Sequence, residues 1–331
     1  MIDSHGRVIR DLRLSITDRC NFRCVYCMDP GVRFMERERL LSTHEIIRVA
    51  RVAASLGVRK VRLTGGEPTL HPELTEIIGG IRAATGVEIA MITNASCLSR
   101  AALREWRRAG LERITISIDS MRPERFARLT RSTCTPADVL DGVSMCLDEG
   151  LTPLKLNAVL IRGFNDDEAP MLAGLARRFG IEMRFIEYMP LDSGRAWDSS
   201  KWVSADETRR AIEARHSLIA CGDDEPSSTA RTYRFADLPL DASARVGFIA
   251  PVSSPFCGAC SRLRLTADGK VRPCLFSTRE WNLRALLRDE AAGGDEIANF
   301  LIDATWTKQA GHGIASPAFV QPERPMSAIG G

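Results

Sequence analysis

Six of the ten cysteines in this 331-residue chain fall into two groups of three. Cys20, Cys24 and Cys27 lie in SITDRCNFRCVYCMDP at spacing C-x3-C-x2-C. Cys257, Cys260 and Cys274 lie in PFCGACSRLRLTADGKVRPCLF at C-x2-C-x13-C. Thiolates at such spacing bind zinc or an iron–sulfur cluster. A closed zinc site takes four protein ligands, and the one histidine that follows the second trio, His312, is far beyond Cys274. A cubane cluster has four irons, so three thiolates leave one iron for a small molecule, much as catalytic metal sites keep an open position. Two trios, each one ligand short, point to two such clusters. The scattered Cys97, Cys134, Cys146 and Cys221 read as small buried apolar residues.

These groups need a scaffold, and one pattern supplies it. Five times an amphipathic helical segment ends in a glycine (Gly57, Gly86, Gly110, Gly150, Gly180) and a β-rich run begins, as in SLGVRKVRLTGG and RFGIEMRFIEYM. Ser42 with Glu45, and Asn165 with Glu168, read as capping boxes, and Thr135-Pro136 as N-cap and N1. Leu74, Ile77, Ile78 and Ile81 share one helical face. With LRLSI at 12–16 as an opening strand, six strand–helix units imply an α/β fold with a parallel sheet. Such a sheet either closes partly into a barrel or stays open and doubly wound. Both arrangements put ligands at the strands' C-terminal ends. Those ends are polar here: Thr64-Gly65-Gly66-Glu67, Thr93-Asn94, Ser117-Ile118-Asp119, Asn157 and Glu187-Tyr188-Met189, with the first cysteine trio after the first strand.

Beyond residue 195 the pattern changes. GDDEPSSTA at 222–230 reads as a loop, RVGFIAPV and RLRLTADGKV as short strands, the second with a turn at Asp268-Gly269. The tail from Gly311, with Pro317, Pro322 and Pro325 and the end Ile329-Gly330-Gly331, reads as extended and mobile. The expected organisation is a barrel unit at 1–195, a cluster-bearing extension at 196–310 and a tail at 311–331. Lys and Arg exceed Asp and Glu by 45 − 42 = 3, which is too little to argue for nucleic-acid binding. No apolar run approaches the roughly 20 residues that span a bilayer. The opening MIDSHGRVIRDLRL holds no signal-peptide stretch, and a cytoplasmic location is expected.

CNFRCVYC, with Tyr26 before its last cysteine, resembles the signature of the radical S-adenosylmethionine (SAM) superfamily. TGGEP at 64–68 resembles the motif that holds the methionyl amino group there. Combined with PFCGACSRLRLTADGK and the Gly-Gly end, the chain resembles the GTP 3′,8-cyclase family from DLRLSITDRC to the final IGG.

The resemblance implies an incomplete (β/α)6 TIM-type barrel with a C-terminal cluster-binding extension, and two [4Fe–4S] clusters as metal centres on Cys20, Cys24 and Cys27 and on Cys257, Cys260 and Cys274. The first would bind SAM and, on reduction, cleave it to a 5′-deoxyadenosyl radical. Tyr26, Gly66, Ser117 and Met189 would contact SAM. The second would bind the guanine of GTP. The radical would take the hydrogen at C3′ so that this carbon attacks C8, giving 3′,8-cyclo-7,8-dihydro-GTP, the first step of molybdenum cofactor biosynthesis. Arg13, Arg62, Lys155, Arg262 and Arg264 match the family's basic substrate positions, with Thr93 and Leu263 beside them; guanidinium groups suit phosphate. Gly330 and Gly331 would reach into the active site. The implied partners are an electron donor protein and, downstream, cyclic pyranopterin monophosphate synthase, with a monomer or homodimer as the assembly. A radical SAM enzyme acting on a peptide, and a non-enzymatic iron–sulfur or zinc protein, are the other readings. TLHPEL after TGGEP, Ala95 after Asn94, and RLTRSTCTPADV depart from the family pattern.

Overall fold

The structure, a computed structural model, describes residues 1–330 except 193, 196, 223, 315, 317 and 318. Pro317 and Gly331 thus lie outside the described residues. Six parallel strands stand side by side in chain order: β1 Asp11–Ser15, β2 Lys60–Thr64, β3 Glu88–Thr93, β4 Arg113–Ser117, β5 Lys155–Leu160 and β6 Glu182–Glu187. A doubly wound sheet would reverse its order once; this one does not, and its sequence of neighbours is that of a barrel wall.

The crossovers are α1 Thr43–Ser55, α2 Leu74–Thr85, α3 Arg100–Ala109, the pair α4 Pro123–Thr130 and α5 Pro136–Asp148 after β4, and α6 Ala169–Phe179 after β5; α7 Ala205–Glu213 follows β6. Local signals set their ends. Ser42 and Glu45 close a reciprocal cap on α1, and Thr135 caps α5 with Pro136 at its first position. The five junction glycines all take positive φ. Leu74, Ile77, Ile78 and Ile81 are buried in the main core, together with Leu12, Leu14, Val61 and Leu63 from the strands.

The expected cap at Asn165 is absent. Asn165 accepts from Ile161 N and donates to the carbonyls of Asp119 and Val159, while Glu168 accepts from Ser120 Oγ and Met121 N. Both polar side chains tie the β4 and β5 ends together instead of starting α6.

The later residues add β7 Leu218–Ala220, β8 Arg231–Phe235, β9 Arg245–Ile249, β10 Arg262–Leu265, β11 Lys270–Arg272 and β12 Trp281–Asn282, then α8 Leu283–Leu287 and α9 Gly294–Trp306. They do not stand apart from the first six strands. β10 pairs in parallel with β1, and β9 with β6, so both flanks of the parallel array are covered. The tail is packed, contrary to the mobile segment expected from its composition. Ile329 is fully buried against Leu191 and Phe276, and Arg324 makes a paired bond to Asp268 at 2.8 Å through each oxygen. Among the described residues no helix is long and apolar enough to cross a membrane.

Candidate active site

Parallel strands covered on both faces are usually near-continuous apolar runs. Here they alternate: DLRLS, KVRLT, KLNAVL, EMRFIE. Leu12, Leu14, Val61 and Leu63 are buried in the main core, and Asp11, Arg13, Lys60, Arg62, Lys155 and Arg184 line a cavity of about 880 Å³. Register makes rows of them. Arg264, Arg13 and Arg62 stand abreast on β10, β1 and β2, and Asp11 stands between Arg262 and Lys60 one step below. Lys155 pairs with Glu182 Oε2 at 2.6 Å, Arg184 meets the other oxygen of Glu182, and Arg113 bonds Glu88 at 3.0 Å. Among the described residues Arg13, Arg62, Arg262 and Arg264 have no carboxylate in ion-pair contact. Arg13 sits deep but turns part of its side chain to the cavity. Burial, then Arg264, Arg62 and Arg262, hold it well below the usual guanidinium range. Burial and Arg262 bring Arg264 down to about 9. Like charges crowded in a partly dry space form a site for an anion.

All six cysteines of the two trios line this same cavity. The loop bearing the first trio is held by Arg23 N and Val25 N, which donate to the carbonyls of Thr130 and Leu129, and by Phe22 set edge-on to Phe126. The turn after β2 presses against it: Gly66 N donates to Thr17 O at 2.8 Å and Glu67 N to Arg19 O at 2.7 Å. A Cβ at Gly66 would lie 2.3 Å from Arg19 O, so only glycine fits. Glu67 is buried and accepts from Thr69 N, Thr69 Oγ1, Thr93 Oγ1 and Asn94 N. Burial pushes Cys20 up to about 11 and Cys27 to about 12, and it holds Cys24 well above the usual thiol range. As thiolates these three need a cation among them, which a metal supplies.

The second trio lies on the connection from β9 to β10 and just after β11. Burial opposes ionisation of Cys260, but Arg262 and Lys308 outweigh it and bring that thiol down to about 6. Arg262 Nη2 donates to its sulfur at 3.2 Å. His312, so distant in sequence, also lines the cavity and lies 5.1 Å from the Phe276 ring. Even so, among the described residues no three His, Cys, Asp or Glu side chains gather tightly enough for a single metal ion. A cluster meets each thiolate with a different iron and so spreads its ligands wider. Three thiols per trio, in a cavity with an orphaned acceptor at Asn157 Oδ1, fit two clusters with ligands beside them.

Tyr26, Gly66, Ser117 and Met189 line the cavity, as do Thr93, Arg13, Arg62, Lys155, Arg262 and Arg264. Leu263 is turned into the core, leaving only its backbone toward the site. Tyr26 donates to Asp119 Oδ2 at 2.6 Å; burial pushes the Asp119 carboxyl up to about 6. The tail enters here. Arg264 Nη1 donates to Gly330 O at 2.6 Å, and Ser327 hydrogen-bonds Cys27. Gly330 has φ +71, and a Cβ there would meet Thr64 Oγ1 at 2.6 Å.

Lys60, Arg113 and Arg184 also line the cavity and are not among the expected site residues; Asp119, expected only as part of a polar strand end, lines it too. The alternation KVRLT and EMRFIE carried the signal for Lys60 and Arg184, the same signal that DLRLS carries for Arg13. Of the four scattered cysteines only Cys146 is buried; Cys97 is exposed and Cys134 and Cys221 are half-buried, because their segments run over the surface. Ala95 takes φ 64, a left-handed conformation that glycine reaches at lower cost.

A sequence profile described as Radical SAM superfamily matches residues 14–176, and one described as Molybdenum Cofactor Synthesis C matches 181–314. The GTP 3′,8-cyclase of Streptomyces coelicolor is 45% identical over all of this chain and 96% of its own length. That of Mycolicibacterium smegmatis is 43% identical over all of this chain and 92% of its own. Among solved structures, Streptococcus suis SuiB bound to precursor peptide SuiA superposes with TM-score 0.64 at 14% identity, over 94% of this chain and 67% of that one. This last likeness carries the fold alone.

Proposed function

The chain belongs to the GTP 3′,8-cyclases of the radical SAM superfamily, and from that premise we propose how its residues carry the activity. It is a radical SAM enzyme of molybdenum cofactor biosynthesis, with SAM and iron–sulfur clusters as cofactors. We assign it the conversion of GTP to 3′,8-cyclo-7,8-dihydro-GTP. The observation that carries the assignment is one cavity lined by both cysteine trios and by a row of arginines that, among the described residues, have no carboxylate partner.

Cys20, Cys24 and Cys27 would hold one [4Fe–4S] cluster, and Cys257, Cys260 and Cys274 the other. When bound, the first would supply the radical chemistry of SAM cleavage and the second would help to hold the guanine base. The chain does the rest. Arg13, Arg62, Arg262 and Arg264, with Lys155, Arg184 and Lys60, receive the triphosphate by charge-assisted hydrogen bonds. The triphosphate in turn relieves their mutual repulsion. Tyr26, Gly66, Ser117 and Met189 border the SAM end, and Thr93 is oriented by Glu67. Leu263 contributes through its backbone. Gly330, held by Arg264 Nη1, would bring the tail against the arginine row and help to exclude water and competing hydrogen donors. An electron donor protein must supply the reducing electron, and cyclic pyranopterin monophosphate synthase would take the product. The expected location is the cytoplasm.

The test is anaerobic reconstitution followed by assay of SAM consumption with and without GTP. The expected result is GTP-dependent SAM cleavage with about eight irons per chain. Joint replacement of Cys257, Cys260 and Cys274 by serine should halve the iron and remove GTP binding. SAM cleavage that leaves GTP unchanged would overturn the substrate assignment and favour the peptide reading.

A further inference from the structure

Lys308, just past the end of α9, is 3% exposed, yet among the described residues no carboxylate faces its ammonium. Its Nζ donates to Arg262 O at 2.9 Å and to Pro273 O. Arg262 lies two residues beyond Cys260, and Pro273 directly precedes Cys274. The third cysteine segment is held from the same side. Arg7 is buried and ion-paired to Asp3 at 2.6 Å; its Nη1 donates to Cys257 O at 2.8 Å and to Ala310 O at 3.0 Å, and its Nη2 to Gln309 O at 2.7 Å. Two buried cations thus fasten all three segments of the second trio to residues 308–310.

The two differ in charge balance. Arg7 has Asp3. Among the described residues Lys308 has only carbonyl oxygens as partners, and burying an ammonium with no counter-charge is costly. Once a metal holds Cys260 and Cys274 as thiolates, their sulfurs act on Lys308 as negative charges, and Arg262 and Arg7 add positive charge nearby. We propose that Lys308 is the built-in counter-charge of the second cluster: a positioning residue at the cavity wall that fixes the Cys260 and Cys274 segments and raises the cluster's reduction potential by placing a buried positive charge beside its thiolates. Net charge and hydrogen bonding around the sulfurs are what tune such potentials. The inference rests on the reading that this trio holds a cluster.

The test uses the full chain with Cys20→Ser, Cys24→Ser and Cys27→Ser, so that only the second site loads. Iron per chain and the midpoint potential, followed by electron paramagnetic resonance, are compared for the parent, Lys308→Met and Lys308→Arg. The expected result is a more negative potential in Lys308→Met and a parental one in Lys308→Arg. A parental potential in Lys308→Met overturns the proposal. If Lys308→Met takes up no iron, Lys308→Arg decides: loading at the parental potential supports the role of charge, and failure to load overturns it. A parent that binds no iron in this background overturns instead the cluster reading on which the inference stands.

Discussion

Arg13→Met should make the empty protein more stable and shrink the stabilisation that nucleotide adds. Arg13 stands abreast of Arg62 and Arg264 on neighbouring parallel strands, which run about 4.8 Å apart. Two guanidinium charges about 6–7 Å apart repel by roughly 2–3 kcal/mol at an effective dielectric of about 20. Solvent ions in the cavity offset much of this, and exchange of a buried charge for an apolar side chain of similar length should gain on the order of 1–2 kcal/mol. For a chain of 331 residues the unfolding entropy is about 0.7 kcal/mol/K, so the empty variant should melt roughly 1.5–3 °C higher. GTP at about one hundred times its Kd should stabilise the parent by about 2.7 kcal/mol, or roughly 4 °C. Loss of one charged phosphate contact, about 1.5–3 kcal/mol, should reduce that shift in the variant to about 2 °C or less. The assay is thermal unfolding of anaerobically reconstituted protein, with SAM omitted so that nothing turns over. A variant that melts below the parent without nucleotide and keeps the full GTP shift would refute the unpaired-cation account.

Gly66→Ala should drive the turn after β2 off the first cysteine loop, since its Cβ would lie 2.3 Å from Arg19 O; iron should fall from about eight to about four per chain, and full loading would refute the close fit. Gly330→Ala adds a side chain at φ +71 and 2.6 Å from Thr64 Oγ1, a backbone cost of about 1–2 kcal/mol before the clash. It should release the tail, seen as faster carboxypeptidase digestion together with a loss of GTP turnover. Asp119, pushed up to about 6 by burial, keeps a proton in the folded chain between about pH 4 and 6 that the unfolded chain has lost. The stability it confers therefore falls as pH rises through that window, by about 3 kcal/mol at most. Asp119→Asn lacks the slope, so urea unfolding should show the variant gaining on the parent between pH 4.5 and 7; a constant difference would rule the reading out.

What was legible in the sequence was local. The cysteine trios, the TGGEP turn and the helix starts at Ser42 and Thr135 each declare themselves within a few residues. Arg13, Arg62 and Lys155 were expected from the family resemblance and line the cavity, whereas Arg184 and Lys60 line it without having been expected, although the same strand alternation marks them. Asn165 and Glu168 had the spacing of a cap, but their partners at Asp119, Ser120 and Met121 lie more than forty positions away and win. The tail's prolines and glycines suggested mobility. Its packing depends on Arg264, Asp268 and Leu191, which no local pattern connects to it. Lys308 gave no signal at all, because its role comes from two carbonyls that the sheet brings together.

The flanking of β1 by β10 and of β6 by β9 has a bearing on biosynthesis. While the ribosome is still short of residue 245, both outer edges of the six-strand array have their amides and carbonyls unsatisfied, the condition under which chains stick to one another. A stop codon near residue 195 should therefore yield inclusion bodies, not a smaller working enzyme.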